Sequence, residues 1–194
     1  MPSPLGHFLA GLSVGIAADP EAEPSTRPVR AYATRFALLC AALGMGPDLD
    51  LLMPDAVIYK FHRTATHSLF AVSVVFIVSM LVTGKVTSYA RRVWWSTVFA
   101  LSWGSHLLLD WLGTDPSRPA GIQLLWPFST HFFISGVNFF PATERFPNAP
   151  YFLIQNLTAA VVEVCVGIPL VALAMYLSSR RGRRDSAAPR GNAR

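Results

Sequence analysis

The chain has 194 residues, of which 52% are hydrophobic and only 14% charged, and its mean hydropathy is +0.40. This length leaves no room for two sizeable cores, and the composition is typical of a membrane protein. The formal net charge is +5, but six of the sixteen Lys and Arg residues fall in the last fifteen positions. A short basic tail of this kind is typical of a signal that sets membrane topology, and it argues against nucleic acid as a partner.

Five apolar stretches, which we interpret as helices, follow one another along the chain. They cover residues 5–18, 31–45, 68–83, 93–113 and 151–178. Since a helix needs about 20 residues to cross a bilayer, the last three are long enough or nearly so, whereas the first two could be thin spans, half-spans or buried helices. Residues 1–178 are thus predicted to form one all-α, membrane-embedded bundle of about five helices, followed by a basic, disordered tail over 179–194.

The basic residues predict an orientation for this bundle. If all five stretches cross, the loops on one side, together with the tail, carry eleven Lys and Arg, and the loops on the other side carry four. The positive-inside rule then places the C-terminus in the cytoplasm. The lipid bilayer is the partner that the composition predicts.

Histidine and aspartate residues interrupt the apolar chain in four short clusters. Burying an unpaired ionisable group costs several kcal/mol, so such groups are rare in apolar segments unless they bind something. The candidate ligands are His7, Asp48, Asp50, His62, His67, His106 and Asp110. Neutral imidazole and carboxylate bind zinc, manganese or iron, and the predicted topology places all seven residues toward the outer face. We therefore predict one centre there with one or two divalent metal ions, zinc being the first choice.

The spacing of these residues predicts how their side chains are arranged, and it leaves an alternative to metal binding open for each pair. His106 and Asp110 are four residues apart in a helical stretch, so they share one face and either bind one ion or hydrogen-bond to each other. Asp48 and Asp50 follow the helix-ending Pro47, and in an extended loop they would point to opposite sides. One would then ligate while the other binds a second ion or orients a histidine; alternatively, an aspartate here bonds only to loop backbone.

The polar segment before the third stretch carries further candidates. Thr66 or Ser68 is expected to cap the helix, with His67 in its first turn. Arg63 either holds a phosphate or carboxylate oxygen of a substrate or lies at the membrane interface.

Other features have a structural interpretation beside a functional one. His131 has no carboxylate within four residues and is left out of the site. Glu163 lies near the middle of the last span, so its depth puts it far from the outer mouth where the site is predicted, and it either functions or pairs with a polar group in the bundle. Gly11 and Gly15 match the small-residue pattern of close helix contacts. Residues 121–130 form an apolar run that serves as a lid over the site or as a membrane-surface anchor.

Taken in this order, the motifs resemble the YdjM family of bacterial membrane-bound metal-dependent hydrolases. The similar segments are Gly6-His7, Pro47-Asp48-Leu49-Asp50, His62-Arg63 with Thr66-His67-Ser68, His106 to Asp110, and Leu125 to Ser129. The resemblance covers roughly residues 1–130 and implies a multi-pass protein of the bacterial inner membrane with a hydrolytic metal centre. A more distant similarity is to zinc-dependent phospholipase C and P1-type nucleases, although the HxxxE helix of those enzymes is missing here.

These features together predict a metal-dependent hydrolase that acts on a phosphodiester or another ester, in a small molecule or a lipid, at the outer membrane face. The metal would activate water, Asp48 would serve as general base where it is not a ligand, and Arg63 would stabilise charge on the substrate. Two rival functions stay open: a non-enzymatic membrane protein with a structural metal, and a transporter that relays ions or protons through His and Asp.

Overall fold

The computed structural model describes residues 1–18, 31–53, 62–84 and 87–187. Its α-helices are α1 (Pro4–Ala17), α2 (Ala31–Met45), α3 (Leu69–Thr83), α4 (Tyr89–Leu112) and α5 (Phe152–Ala187). Two 3-10 helices, Gly46–Leu52 and Ala65–His67, lie in the polar segments between α2 and α3, and the described residues contain no strand beyond isolated bridges. The predicted all-α fold of about five helices is confirmed.

Local sequence explains where α1 and α3 begin. Ser3 caps α1 by accepting a hydrogen bond from the Leu5 amide (3.1 Å), and Pro4 fits the first helical position because it has no N–H to leave unpaired. Ser68 caps α3 through an amide of the first turn, as predicted. His67 was expected in that first turn; it lies instead in the preceding 3-10 helix, because the backbone is extended at Ser68.

Helix α1 lies at the centre of the bundle and packs against α2, α4 and α5, while α2 and α3 also pack on α4. Glycines let α1 and α2 approach backbone to backbone: a Cβ built on Gly11 would lie 2.5 Å from the Cys40 carbonyl oxygen, and one on Gly44 would lie 2.7 Å from the His7 carbonyl oxygen. Gly15 meets α2 in the same way, so the predicted contact role of these small residues is confirmed. The close contact brings His7 next to the C-terminal end of α2.

Among the described residues, one helix is long and apolar enough to cross a membrane. It covers Phe152–Arg181, and an 18-residue window within it has a mean hydropathy of 2.2. Helices α1 and α3 are apolar but have only 14 and 15 residues, a length of about 21–23 Å against about 30 Å of hydrocarbon core. Crossing by the earlier stretches therefore stays a prediction. Helix α5 continues to Ala187, into the segment predicted as a disordered tail, and residues 188–194 lie outside the described part of the chain.

A long irregular connection, residues 113–151, joins α4 to α5. The amide of Leu69, at the start of α3, donates to the Leu124 carbonyl oxygen in this connection (2.9 Å). The apolar run 121–130 therefore packs beside the start of α3, and it leaves Phe128 almost fully exposed.

Candidate metal centre

Side chains of four residues, from three parts of the chain, converge in the bundle through one atom each. We call these four residues the His–Asp quartet. The atoms are Nε2 of His67, Nε2 of His106, Oδ1 of Asp48 and Oδ2 of Asp110. The two nitrogens are 3.2 Å apart, and the oxygens lie 3.2–3.6 Å from each of them. Two ligand atoms bound about 2.0–2.2 Å from one zinc ion at the tetrahedral angle are about 3.3–3.6 Å apart. The quartet therefore has the separations of ligands that share one ion.

Hydrogen bonds on the far side of each ring set which nitrogen carries a proton. Nδ1 of His106 lies 2.9 Å from the Gly44 carbonyl oxygen, which can only accept, so in the neutral ring Nδ1 is protonated and Nε2 presents a lone pair. Thr66 donates to Asp50, and its hydroxyl oxygen lies 3.0 Å from Nδ1 of His67, which therefore donates to it. When both rings are neutral, their Nε2 atoms thus present lone pairs toward the two carboxylates, an arrangement that a cation stabilises.

The quartet is buried on one side and open on the other. His7, His67, His106 and Asp110 are fully buried, and burial lowers the pKa of His67 below its ordinary value, so that its ring is in the neutral, ligating form at neutral pH. The side chains of Asp48, Asp50 and His62 keep 16–19% of their surface exposed. A small molecule would therefore reach the centre from the side of these three residues.

His7 brings a further imidazole to the quartet. Its ring stacks on that of His106 with centroids 3.6 Å apart, and its Nε2 lies 3.5 Å from Oδ1 of Asp110. Within the described residues, both ring nitrogens of His7 and both carboxylate oxygens of Asp110 are buried without a hydrogen-bond partner, which is rare for buried polar atoms and fits metal ligation.

Two neighbouring groups of three residues could each hold a metal ion. Within each group, the three candidate ligand atoms lie within 4.8 Å of one another. The groups are His7, His106 and Asp110, and Asp48, His62 and His67. The predicted convergence of these clusters is thus present, and the buried His and Asp residues could bind a metal ion.

Asp50 has a different position from the other carboxylates. Segment Gly46–Leu52 is a 3-10 helix and not the extended loop that we expected, so Asp48 faces the quartet while Asp50 faces His62. Oδ1 of Asp50 lies 2.9 Å from Nδ1 of His62, and Oδ2 accepts from Thr66 (3.3 Å). Asp50 thus fits the alternative in which one aspartate orients a histidine, a role known to fix ligand rings at metal sites.

Arg63 faces the long connection. Its Nη1 donates to Asp115 (2.5 Å), to Ser117 (2.6 Å) and to two loop carbonyl oxygens. Burial alone would raise the pKa of Asp115, but hydrogen bonds from Ser117 and Gly121 and the charge of Arg63 lower it, so this pair is ionised. Arg63 also has a positive φ of 68°, which costs about 1–2 kcal/mol in a non-glycine residue. These contacts anchor the loop, and a role for Arg63 in substrate handling stays a prediction.

Sequence reasoning missed the groups that orient the rings. The Gly44 carbonyl that fixes His106 is backbone, and Thr66 was considered only as a helix cap. The indole of Trp103 in turn donates to the Thr66 carbonyl oxygen (2.9 Å). Only the Thr66–His67 adjacency in sequence offered a signal for any of these contacts.

The expectation that Glu163 lies far from the site is wrong. Helix α5 packs along α1, and this contact brings the twelfth residue of α5 to the start of α1, where the Gly6 amide donates to Glu163 (3.0 Å) next to His7. His131, which was left out of the site, is exposed and contacts only the Phe133 ring among the interactions described for its side chain.

Comparison with known proteins shows the family of the chain. The family model described as YdjM inner membrane protein matches residues 1–182. No curated protein and no solved structure matches the chain. The more distant similarity to phospholipase C and P1-type nucleases is not confirmed.

Proposed function

We propose that this chain, which belongs to the YdjM inner membrane protein family, is a zinc-dependent hydrolase. The observation that carries the proposal is the His–Asp quartet, in which two imidazole lone pairs and two carboxylates converge at separations of 3.2–3.6 Å. Nitrogen and oxygen donors at these separations suit zinc, and manganese or iron would take the same residue types.

Residues on the buried side and on the open side of the centre would have different roles in hydrolysis. A zinc ion held by the quartet would polarise a scissile bond and activate a water at neutral pH. Asp48 is the quartet residue whose side chain is partly exposed, and this exposure supports it as the group that would accept a proton from that water. The Asp50 contact holds the His62 ring at the same edge, where it can bind the substrate or a second ion.

Apolar side chains beside the open edge support an amphipathic substrate. Leu49, Leu52 and Met53 belong to or directly follow the 3-10 helix that carries Asp48, and all three are exposed. An apolar rim next to a polar centre favours a molecule with a hydrocarbon part and a hydrolysable head. We therefore assign the substrate to esters or phosphodiesters, membrane lipids included.

The proposed active site faces the outer side of the membrane, and the C-terminus lies in the cytoplasm. This orientation rests on the eleven-to-four division of basic residues between the two sets of loops. Reporter fusions after Arg194 and within residues 114–150 test it: we expect a cytoplasmic signal from the first and a periplasmic signal from the second. The reverse pattern would overturn the orientation.

The same quartet favours a second candidate function, a non-enzymatic membrane protein with a structural metal. Four protein atoms with these separations are enough to complete a tetrahedral zinc site, and structural zinc sites are closed in this way, whereas catalytic ones keep a position for water. His7 and His62 count against a purely structural role, because they offer more ligands than one closed site needs.

The experiment compares purified wild-type protein with His106→Ala and with His131→Ala, the matched control on an exposed histidine. Zinc content and hydrolysis of phosphodiesters, phospholipids and carboxyl esters are measured on the same samples. Wild type and His131→Ala should hold zinc and hydrolyse at least one class, and His106→Ala should lose both. Stoichiometric zinc without any hydrolysis supports the structural candidate, and wild-type protein without metal overturns both.

A further inference from the structure

Glu163 holds the N-terminus of α1 from a different helix. Its Oε1 accepts from the Ser3 amide (2.5 Å), and its Oε2 accepts from the Gly6 amide (3.0 Å) and from the Ser3 hydroxyl. The side chain is 1% exposed, and it lies in the described helix that is long and apolar enough to cross a membrane. A buried carboxylate is costly unless it is hydrogen-bonded, and these three donors offset that cost.

These contacts complete a capping box whose halves come from two helices. In the usual box the Ser at the N-cap and a Glu at the third helical position bind each other's backbone amides. In α1 the N-cap is Ser3, but the third helical position is Gly6, which has no side chain. Glu163 supplies the carboxylate to both amides. A Cβ on Gly6 would lie 3.0 Å from Cδ of Glu163, so the glycine leaves room for this carboxylate.

The position of His7 depends on this cap. His7 directly follows Gly6, and among the described residues neither nitrogen of its ring has a hydrogen bond that would orient it. The ring is placed by its backbone and by stacking on His106. Because the main helix contact of α5 is with α1, Glu163 is the polar link between the long membrane helix and the metal ligands. Its charge also complements the positive end of the α1 dipole.

We propose that Glu163 is a positioning residue of the metal centre: it fixes the first turn of α1 and so holds the His7 ring within reach of Asp110. This role depends on the proposed metal centre, and it adds a residue outside the ligand clusters that helps to hold the centre together. Glu163 itself does not ligate, since both of its oxygens face donors at the start of α1.

The test uses Co²⁺ as the probe, because its visible absorption reports the ligand geometry as well as the affinity. Glu163→Gln keeps the shape of the side chain, but its NH₂ group cannot accept, so either the Ser3 or the Gly6 amide loses its acceptor. Groups that orient metal ligands are worth about 10–100-fold in metal affinity. We expect a loss of that size together with a changed Co²⁺ spectrum, and partial recovery of both in Glu163→Asp, which keeps the carboxylate.

The control is Cys165→Ser, two residues along α5 at an exposed position, which should match wild type. Wild-type protein that binds no Co²⁺ would overturn the proposed metal centre itself. Wild-type affinity and spectrum in Glu163→Gln would overturn the positioning role alone. If Glu163→Gln does not fold in detergent, Ser3→Ala takes its place, because it removes the hydroxyl that bonds Glu163 and caps α1, and wild-type behaviour in Ser3→Ala would overturn the role.

Discussion

The Nε2 atoms of His67 and His106 lie 3.2 Å apart, and a hydrogen bond on the other nitrogen of each ring directs a lone pair into the space between them. Oxygens of Asp48 and Asp110 lie 3.2–3.6 Å from the same nitrogens. One proton can be shared by only two of these four acceptors, whereas a divalent ion interacts with all of them. The short distance between these two nitrogens is therefore the strongest support for a metal centre.

Replacing either aspartate of the 3-10 helix Gly46–Leu52 by asparagine should weaken zinc binding, but to different extents. Asp48→Asn removes a charge from the quartet, so we expect bound zinc to be lost. Asp50→Asn should keep zinc with an affinity about 10–100-fold lower, because Asp50 accepts from the Thr66 hydroxyl that orients the His67 ring. Zinc titration of both variants checks this difference. Equal loss in the two would mean that Asp50 also ligates.

Close packing of α1 on α2 predicts a large effect from a small substitution. A Cβ at Gly11 would lie 2.5 Å from the Cys40 carbonyl oxygen, so Gly11→Ala should lower the free energy of unfolding by about 1–3 kcal/mol. The matched control is Gly104→Ala in α4, where the new Cβ would meet only Val72 at 3.9 Å. That variant should be unchanged or up to about 1 kcal/mol more stable, since alanine favours helix. Indistinguishable melting temperatures in detergent would contradict the packing described.

Anchoring by Arg63 predicts a local effect on the long connection. Arg63→Ala removes the bond to Asp115, whose carboxylate also accepts from the Gly121 amide (2.7 Å). Amide hydrogen exchange over residues 115–121 should therefore become faster, while zinc content is unchanged. Arg118→Ala, at an exposed position of the same loop, serves as the control and should leave exchange as in wild type. Unchanged exchange in Arg63→Ala would show that the loop is held by other contacts.

The sequence was sufficient where chemistry is local. The i,i+4 spacing predicted that His106 and Asp110 share a face, and Ser68 was recognised as a helix cap from its place before an apolar run. Clustering of ionisable residues in an apolar chain also indicated the candidate ligands, because the burial of such residues is costly unless they are paired.

The remaining features depend on contacts between distant parts of the chain. Nothing near Glu163 in sequence indicates that its carboxylate reaches Ser3 and Gly6, because that contact exists only once α5 packs on α1. Asp50 was predicted either to ligate or to orient a histidine, and the 3-10 conformation, which turns it toward His62, favours the second role. Arg63 was considered for substrate binding because it lies beside ligands in sequence, although its left-handed backbone directs the side chain to the long connection.

X-ray absorption at the zinc edge of the zinc-loaded, detergent-purified protein tests the metal centre most directly. We expect nitrogen and oxygen neighbours at about 2.0–2.1 Å, together with scattering from at least two imidazole rings. His106→Ala should lose the zinc or one of these rings, while His131→Ala should give the wild-type spectrum. A sulfur neighbour at about 2.3 Å, or oxygen neighbours without imidazole scattering, would contradict a zinc site built from His67, His106, Asp48 and Asp110.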